Sequence, residues 1–317
     1  MARSSFQSKI NELFKMKIAG IDIGTNTILM TIAEKKADES LEILCDEHSI
    51  ARLGEKTDNT TWISPDAISR AVNILKNYKN ICDNEQVDEI QIVTTSAMRD
   101  AKNGEEVRYV LENTIQSKIK IISGEEEARL SFLGTVENEL PASVIDIGGG
   151  STEVISGTIE ELTFIKSLKI GAVRLTERFF NVDCLTEDMV IAAKAVIKNE
   201  FKSNIQKEFF KGNLYAVAGT PTTIAAVCLN LKEYDFNKVN GYILSKDSIN
   251  HVLDLFLRFK PEEISKKYNI HPLRADVITA GTIILSEAME YLNIERCIVS
   301  ALGLRFGIIK NYIKNYS

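Results

Sequence analysis

Two segments of the chain pair a carboxylate with a tight turn and a hydroxyl: Gly20-Ile21-Asp22-Ile23-Gly24-Thr25-Asn26-Thr27 and Val144-Ile145-Asp146-Ile147-Gly148-Gly149-Gly150-Ser151-Thr152-Glu153. Each follows an apolar run that reads as a buried strand, so each delivers an acid, a glycine turn and a short polar side chain at a strand end. Turn amides and hydroxyls approach phosphate oxygens closely, and Asp22 is placed to hold Mg²⁺ or its waters. A single such turn reads more readily as a plain hairpin. Its repetition points to two related lobes closing on one phosphorylated ligand. The expected phosphate contacts are Gly24, Thr25, Asn26 and Thr27 on one side and Gly148, Gly149, Gly150 and Ser151 on the other. No GxxxxGKS/T motif occurs, which excludes a P-loop.

Ser123-Gly124-Glu125-Glu126-Glu127-Ala128-Arg129 opens a predicted helix whose acids complement the positive end of the helix dipole. Glu125 and Glu126 read as solvated cap residues. Glu127 is the candidate general base, because water attacking a phosphoryl group needs a nearby acceptor and no histidine stands in a comparable motif; His48, His251 and His271 read as structural. Arg99, just beyond a strand end, reads either as an exposed loop arginine or as a guanidinium forked onto terminal phosphate oxygens. The turn Ala218-Gly219-Thr220-Pro221-Thr222-Thr223 is either a simple N-cap or a phosphate contact. Arg52, Lys169 and Arg174 are either ordinary surface charges or cleft cations for a longer anion.

The elements that must carry these residues follow from periodicity. Strands are expected over 16–24, 27–34 and 41–53, then a helix opened by Ser64-Pro65-Asp66 with an apolar face at Ile68, Ala71, Val72, Leu75 and Tyr78. A strand over 89–95, a helix over 105–115, a strand over 119–122 and a helix from Gly124 complete a first lobe, βββαβαβα. After Pro141 the order restarts, with strands over 143–147, 152–157 and 162–170, a helix over 186–209, a strand over 214–218, a helix over 220–229, a strand over 296–300 and a last helix from Gly303. Extra helices fall between 247 and 290. Such a repeat is the order of two ribonuclease-H-like lobes of the actin-like ATPase superfamily, an α/β architecture with an interlobe cleft. The expected lobes are 16–137, preceded by an extension over 1–15, and 138–317, the last helix packing back on the first.

Composition narrows the classes. The 317 residues are 44% hydrophobic and 26% charged, an ordinary balance for a globular protein of two moderate domains. A net charge of −6 offers no basic field to nucleic acid. The five cysteines, Cys45, Cys82, Cys184, Cys228 and Cys297, include no CxxC pair, which argues against a disulfide framework or zinc cage and fits a cytoplasmic location. The longest late apolar run, 277–285, falls far short of the roughly 20 residues of a membrane span, and 1–15 lacks the apolar centre of a secretory signal.

Taken together, the segments GIDIGTNT, TTSAMRDA, IISGEEEARL, VIDIGGGSTEV, IGAVRLTERF, AGTPTTIAAV, RADVITAG and VSALGLRFG resemble the exopolyphosphatase and guanosine pentaphosphate phosphohydrolase (Ppx/GppA) family. The resemblance implies a Mg²⁺-dependent phosphohydrolase that releases orthophosphate from the end of inorganic polyphosphate or from the 5′ end of guanosine pentaphosphate. It implies Glu127 as the catalytic glutamate, Arg99 as the phosphate-binding arginine, and Asp22, Asp146 and Glu153 as the acids on the metal side. It also makes a homodimer plausible. Ala301 and Leu302 replace a more usual polar pair, and Phe306 replaces a common acid. No His-Asp dipeptide, the mark of the helical domain in longer members, is present, so the chain reads as a short two-domain form. More distant alternatives are a kinase of the same superfamily and a non-catalytic nucleotide-binding scaffold.

Overall fold

Three consecutive strands, β1 (Met16–Ile23), β2 (Thr27–Lys35) and β3 (Leu41–Ile50), run antiparallel as a meander. The computed structural model describes residues 16–36, 38, 40–137, 140–180 and 185–316. The expected extension over 1–15, Cys184 and two residues of the turn after β2 lie outside the described residues. The first half continues with α1 (Thr57–Thr60), α2 (Pro65–Asn84), β4 (Glu89–Thr94), α3 (Ser96–Asp100), α4 (Gly104–Ile115), β5 (Ile119–Ile121) and α5 (Gly124–Thr135). The order then restarts with β6 (Ala142–Ile147), β7 (Thr152–Gly157), β8 (Leu162–Leu168), α6 (Ala172–Leu175), a π-helical turn (Thr176–Phe180), α7 (Glu187–Asn204) and β9 (Asn213–Val217). It ends with α8 (Gly219–Cys228), α9 (Phe236–Val239), β10 (Ile243–Ser245), α10 (Lys246–Leu257), α11 (Pro261–Tyr268), α12 (Pro272–Leu292), β11 (Arg296–Ser300) and α13 (Leu304–Tyr316).

The first sheet has the order β3-β2-β1-β4-β5 and the second β10-β11-β9-β6-β7-β8. Read from the meander inwards the two coincide, with β1 and β6 central, β4 and β9 parallel beside them, and β10 added antiparallel at one edge. Two α/β lobes therefore repeat one plan. Local chemistry explains the elements: Ser64 accepts the Ala67 amide at 3.2 Å ahead of Pro65, and α2 buries Ala67, Ala71, Leu75 and Tyr78, three or four residues apart.

Some boundaries differ from expectation for visible reasons. Strand β3 stops at Ile50 because the amides of Ala51 and Arg52 turn back to the Asn26 carbonyl at 3.1 and 2.9 Å, with Arg52 at φ 52°. Helix α7 ends at Asn204, and Lys207–Phe209 forms a separate 3₁₀ turn. Strand β10 was not expected.

The helices that close the two repeats are exchanged. Helix α5 packs on β6, β7 and β8, whereas α13 packs on β1, β2 and β4. The two cross each other at backbone contact, since a Cβ on Gly134 would strike the Gly303 carbonyl and one on Gly307 the Leu130 carbonyl. Val93, Ile122, Leu130, Leu304 and Ile308 fill the space around that crossing.

Candidate active site

Both aspartate segments fold as two-residue hairpins. The Gly24 amide donates to the Thr27 carbonyl at 2.9 Å, and the Gly148 amide to the Ser151 carbonyl at 3.0 Å. These bonds consume the donors of Gly24 and Gly148. Among the described residues, the amides of Thr25, Asn26, Gly149 and Gly150 have no protein acceptor, which leaves two adjacent donors on each turn. The hairpins meet. Thr25 Oγ1 lies 2.8 Å from Ser96 Oγ of α3, and a Cβ on Gly150 would stand 2.5 Å from that Ser96 oxygen. A Cβ on Gly149 would stand 3.0 Å from Thr25 Cβ and 3.1 Å from Val173.

Helix α5 aims two side chains at the same place. Ser123 caps it by accepting the Glu126 amide at 3.1 Å, which puts Glu127 in the first turn, and Ser131 follows one turn later on the same face. Ser131 Oγ donates to Asp146 Oδ2 at 2.5 Å. Arg99 Nη1 donates to Glu127 Oε2 at 3.1 Å and to the Ile122 carbonyl at 3.0 Å. Arg99 thus stands on the short helix α3, not on an open loop.

Asp22, Glu127 and Asp146 all line one cleft of about 940 Å³, together with Gly24, Thr25, Asn26, Thr27, Gly148, Gly149 and Ser151. Glu153, only 1% exposed, lies beside Asp146 in the β6–β7 register and accepts from Ser167 Oγ at 2.7 Å. In the first lobe the corresponding position opposite Asp22 is Leu29.

The carboxylates repel one another across this space. Burial, then the charges of Glu127 and Asp146, push the Asp22 pKa well above its ordinary value, with Arg305 opposing. Burial and the same two neighbours push Glu153 well up. Asp146 is raised by burial against the Ser131 hydrogen bond. Glu127 is pushed up to about 7 by burial, against the pull of Arg99.

An acid cluster in this condition fits a divalent cation, which would relieve the repulsion. Asp22 Oδ1 and Asn26 Oδ1 are buried oxygens without a hydrogen-bond partner, the donor type Mg²⁺ takes directly or through water. Among the described residues no three His, Cys, Asp or Glu side chains stand close enough to cage a metal alone. Such an open set suits a cation that shares its shell with water and substrate oxygens.

The second strand-to-helix turn is strained. Ala218 precedes α8 at φ 78° and ψ −165°, without a side-chain cap, and lines the cleft. Of the two readings left open for Arg52, Lys169 and Arg174, the cleft reading is not met, since none of them lines the cleft. Arg52 pairs with Asp276 at 2.7 Å, Arg174 pairs with Asp58 and Asp100, and Lys169 is exposed. Arg274 lines the cleft without an acidic partner among the described residues, and burial lowers its pKa. Arg305, 5% exposed on α13, donates to Asp46 at 2.9 and 3.0 Å and to Thr31 at 2.8 Å. Ser131 was detectable as a hydroxyl four residues after Glu127. Arg274 and Arg305 lie in RADVITAG and VSALGLRFG, but nothing in those strings says that the side chains turn into the cleft.

The model of the Ppx/GppA phosphatase family matches residues 31–315. The chain is 34% identical over 313 residues to the bifunctional 3-dehydroquinate synthase/phosphatase of Fusobacterium nucleatum, covering 94% of this chain but only 46% of that protein. It is 30% identical to exopolyphosphatase 2 of Mycobacterium tuberculosis, covering 87% of this chain and 91% of the relative. The crystal structure of the Aquifex aeolicus Ppx/GppA family member superposes with a TM-score of 0.79 at 33% identity, covering 96% of this chain and 99% of the other.

Proposed function

The chain belongs to the Ppx/GppA phosphatase family, and from that premise we propose that it is an exopolyphosphatase, hydrolysing the terminal phosphoanhydride bond of inorganic polyphosphate with Mg²⁺. The convergence of Asp22, Asp146 and Glu127 on one cleft carries this reading. The repeated strand order supports assigning both lobes to the ribonuclease-H-like fold of the actin-like superfamily.

The chemistry is mostly positioning and charge stabilisation. Mg²⁺, when bound beside Asp22, Asp146 and Asn26, supplies positive charge for the phosphate oxygens. The free amides of the two hairpins offer donors to the terminal phosphoryl group. Arg99 orients that group by its guanidinium fork. Glu127, whose pKa burial pushes up to about 7, accepts the proton of the attacking water in its ionised form. Arg274, which also lines the cleft, is a cation available to the next part of the anion.

A second reading, release of the 5′ phosphate of guanosine pentaphosphate, draws support from the cleft's extent. It continues beyond the hairpins to His48, Tyr234 and Arg274, where a nucleoside has aromatic and cationic neighbours. Phosphate release from polyphosphate of defined length, competed with the nucleotide, separates the two. Glu127→Gln is expected to lower kcat by about 10²- to 10⁴-fold with little change in KM. Retained turnover in that variant would refute the assignment.

A further inference from the structure

Arg174 contacts three segments at once. Its Nε donates to the Gly150 carbonyl at 2.9 Å, its Nη1 to Asp58 of α1, and its Nη2 to Asp100 Oδ2 at 3.1 Å. Gly150 belongs to the second hairpin, whereas Asp58 and Asp100 belong to the first lobe. Asp100 ends α3, the helix that carries Arg99 and begins at Ser96, the partner of Thr25.

The contact does not stand alone. Arg178, on the π-helical turn, grips Asp58 at 2.6 and 3.1 Å, and the Lys56 amide donates to Glu177 Oε1 at 2.6 Å. The segment presenting Asp58 is held in an unusual shape, with Lys56 at φ 62° and Thr61 at φ 59° on either side of α1. Left-handed backbone at two non-glycine residues persists where surroundings enforce it, and π turns recur at functional sites.

We propose that Arg174 is a positioning residue of the phosphohydrolase: it clasps the backbone of the second hairpin to α3, so that closure of the cleft and alignment of the two hairpins with Arg99 happen together. In a trans peptide the Ser151 N–H points opposite to the Gly150 carbonyl. Holding that carbonyl therefore fixes the orientation of the Gly150–Ser151 peptide of the second hairpin. The kinetic part of the proposal rests on the function proposed above; the clasp itself does not.

The test uses the full chain with Arg174→Met, Asp58→Asn and the double variant. Solution X-ray scattering without substrate reports closure, and phosphate release from tripolyphosphate with Mg²⁺ reports rate. Arg174→Met is expected to increase the radius of gyration and to lower kcat by about 10²-fold while KM stays within about threefold. The double variant should lose less than the product of the two single losses, because the variants share the Arg174–Asp58 contact while each also removes contacts of its own. Should Arg174→Met fail to fold, Asp58→Asn carries the test, with a smaller increase in radius and a loss of about tenfold. Unchanged dimensions in a folded Arg174→Met protein, or losses that multiply in the double variant, would overturn the clasp. If the wild-type chain releases phosphate from neither polyphosphate nor nucleotide, the functional reading fails, and the scattering comparison still decides the clasp.

Discussion

Gly24 and Thr27 close a turn in the first lobe that Gly148 and Ser151 close again in the second, yet the two turns offer different things to the cleft. The first carries Thr25, whose hydroxyl meets Ser96, and Asn26, whose buried Oδ1 has no hydrogen-bond partner and which lines the cleft. The second carries only backbone, because side chains on Gly149 and Gly150 would occupy the volume of Thr25 and Ser96. The acids differ as well. Asp146 is held by Ser131 and flanked by Glu153, whereas Asp22 has an unpartnered oxygen and Leu29 as its cross-strand neighbour. A duplicated framework has thus become complementary: one hairpin supplies groups, and the other supplies room for them.

The largest effects should come from neutralising the acids, where the hairpins act as halves of one site. Asp22→Asn and Asp146→Asn are each expected to lower phosphate release by about 10²- to 10³-fold. A loss confined to one of them would break the comparison. Stability should move the other way, since the acids of the cluster are raised in pKa by burial and mutual repulsion. For a carboxyl whose folded pKa is raised, the native state binds the extra proton, so stability falls as pH rises from the unfolded to the folded value. With Glu127 that window runs from 4.5 to about 7. Glu127→Gln, measured without Mg²⁺, should therefore melt later than wild type by a margin that grows across this window and is constant above it, on the order of a few degrees. The activity of wild type should rise with pH through the same region as the base ionises.

Next in size are changes to the turns themselves. Gly150→Ala pushes Ser96 and Thr25 aside and is expected to lower kcat by about tenfold to 10²-fold with little effect on the Mg²⁺ requirement. Asn26→Ala leaves the packing intact and removes the unpartnered oxygen, so the Mg²⁺ concentration for half-maximal rate should rise by about tenfold. A metal titration at saturating substrate checks both. If Gly150→Ala shifted the metal requirement and Asn26→Ala did not, the division of labour between the turns would be reversed.

Whether a residue's partners are adjacent in sequence or lie across the lobes explains what was legible in the chain and what was not. Strand periodicity marked both meanders, and the Asp-Ile-Gly strings located both hairpins, because these depend on residues adjacent in sequence. The helix acids of Ser123 to Glu127 were equally local. Arg174 and Arg52 stayed open between surface charges and cleft cations because their acidic partners lie across the lobes, Asp58 and Asp100 for the one and Asp276 for the other. The three glycines suggested close approach of a ligand. Gly149 and Gly150 also admit Thr25 and Ser96, a packing constraint from a lobe more than 50 residues away. The length of α7, the short helix under Arg99 and strand β10 likewise depend on tertiary packing that a propensity reading does not contain.

The smallest predicted effect addresses the difference between the two aspartates. Ser131→Ala removes the hydroxyl that donates to Asp146 at 2.5 Å and leaves Asp146, like Asp22, without a side-chain donor. A hydrogen bond to a charged group is worth about 1.5–3 kcal/mol, an upper bound for the loss where water refills the site. The hydroxyl lowers the Asp146 pKa, so its removal raises it further. More of the acid is then protonated at a given pH, and the acid limb of the rate profile should move to higher pH. The expected result is a loss of about tenfold near pH 6 that shrinks towards pH 8, whereas a change that merely loosened α5 would lower the rate equally at both. Ser131→Thr retains the hydroxyl and should restore the wild-type profile if the extra methyl is accommodated. A pH-independent loss in Ser131→Ala would mean that Asp146 is already fixed by its strand, and that the two aspartates differ in surroundings but not in how they work.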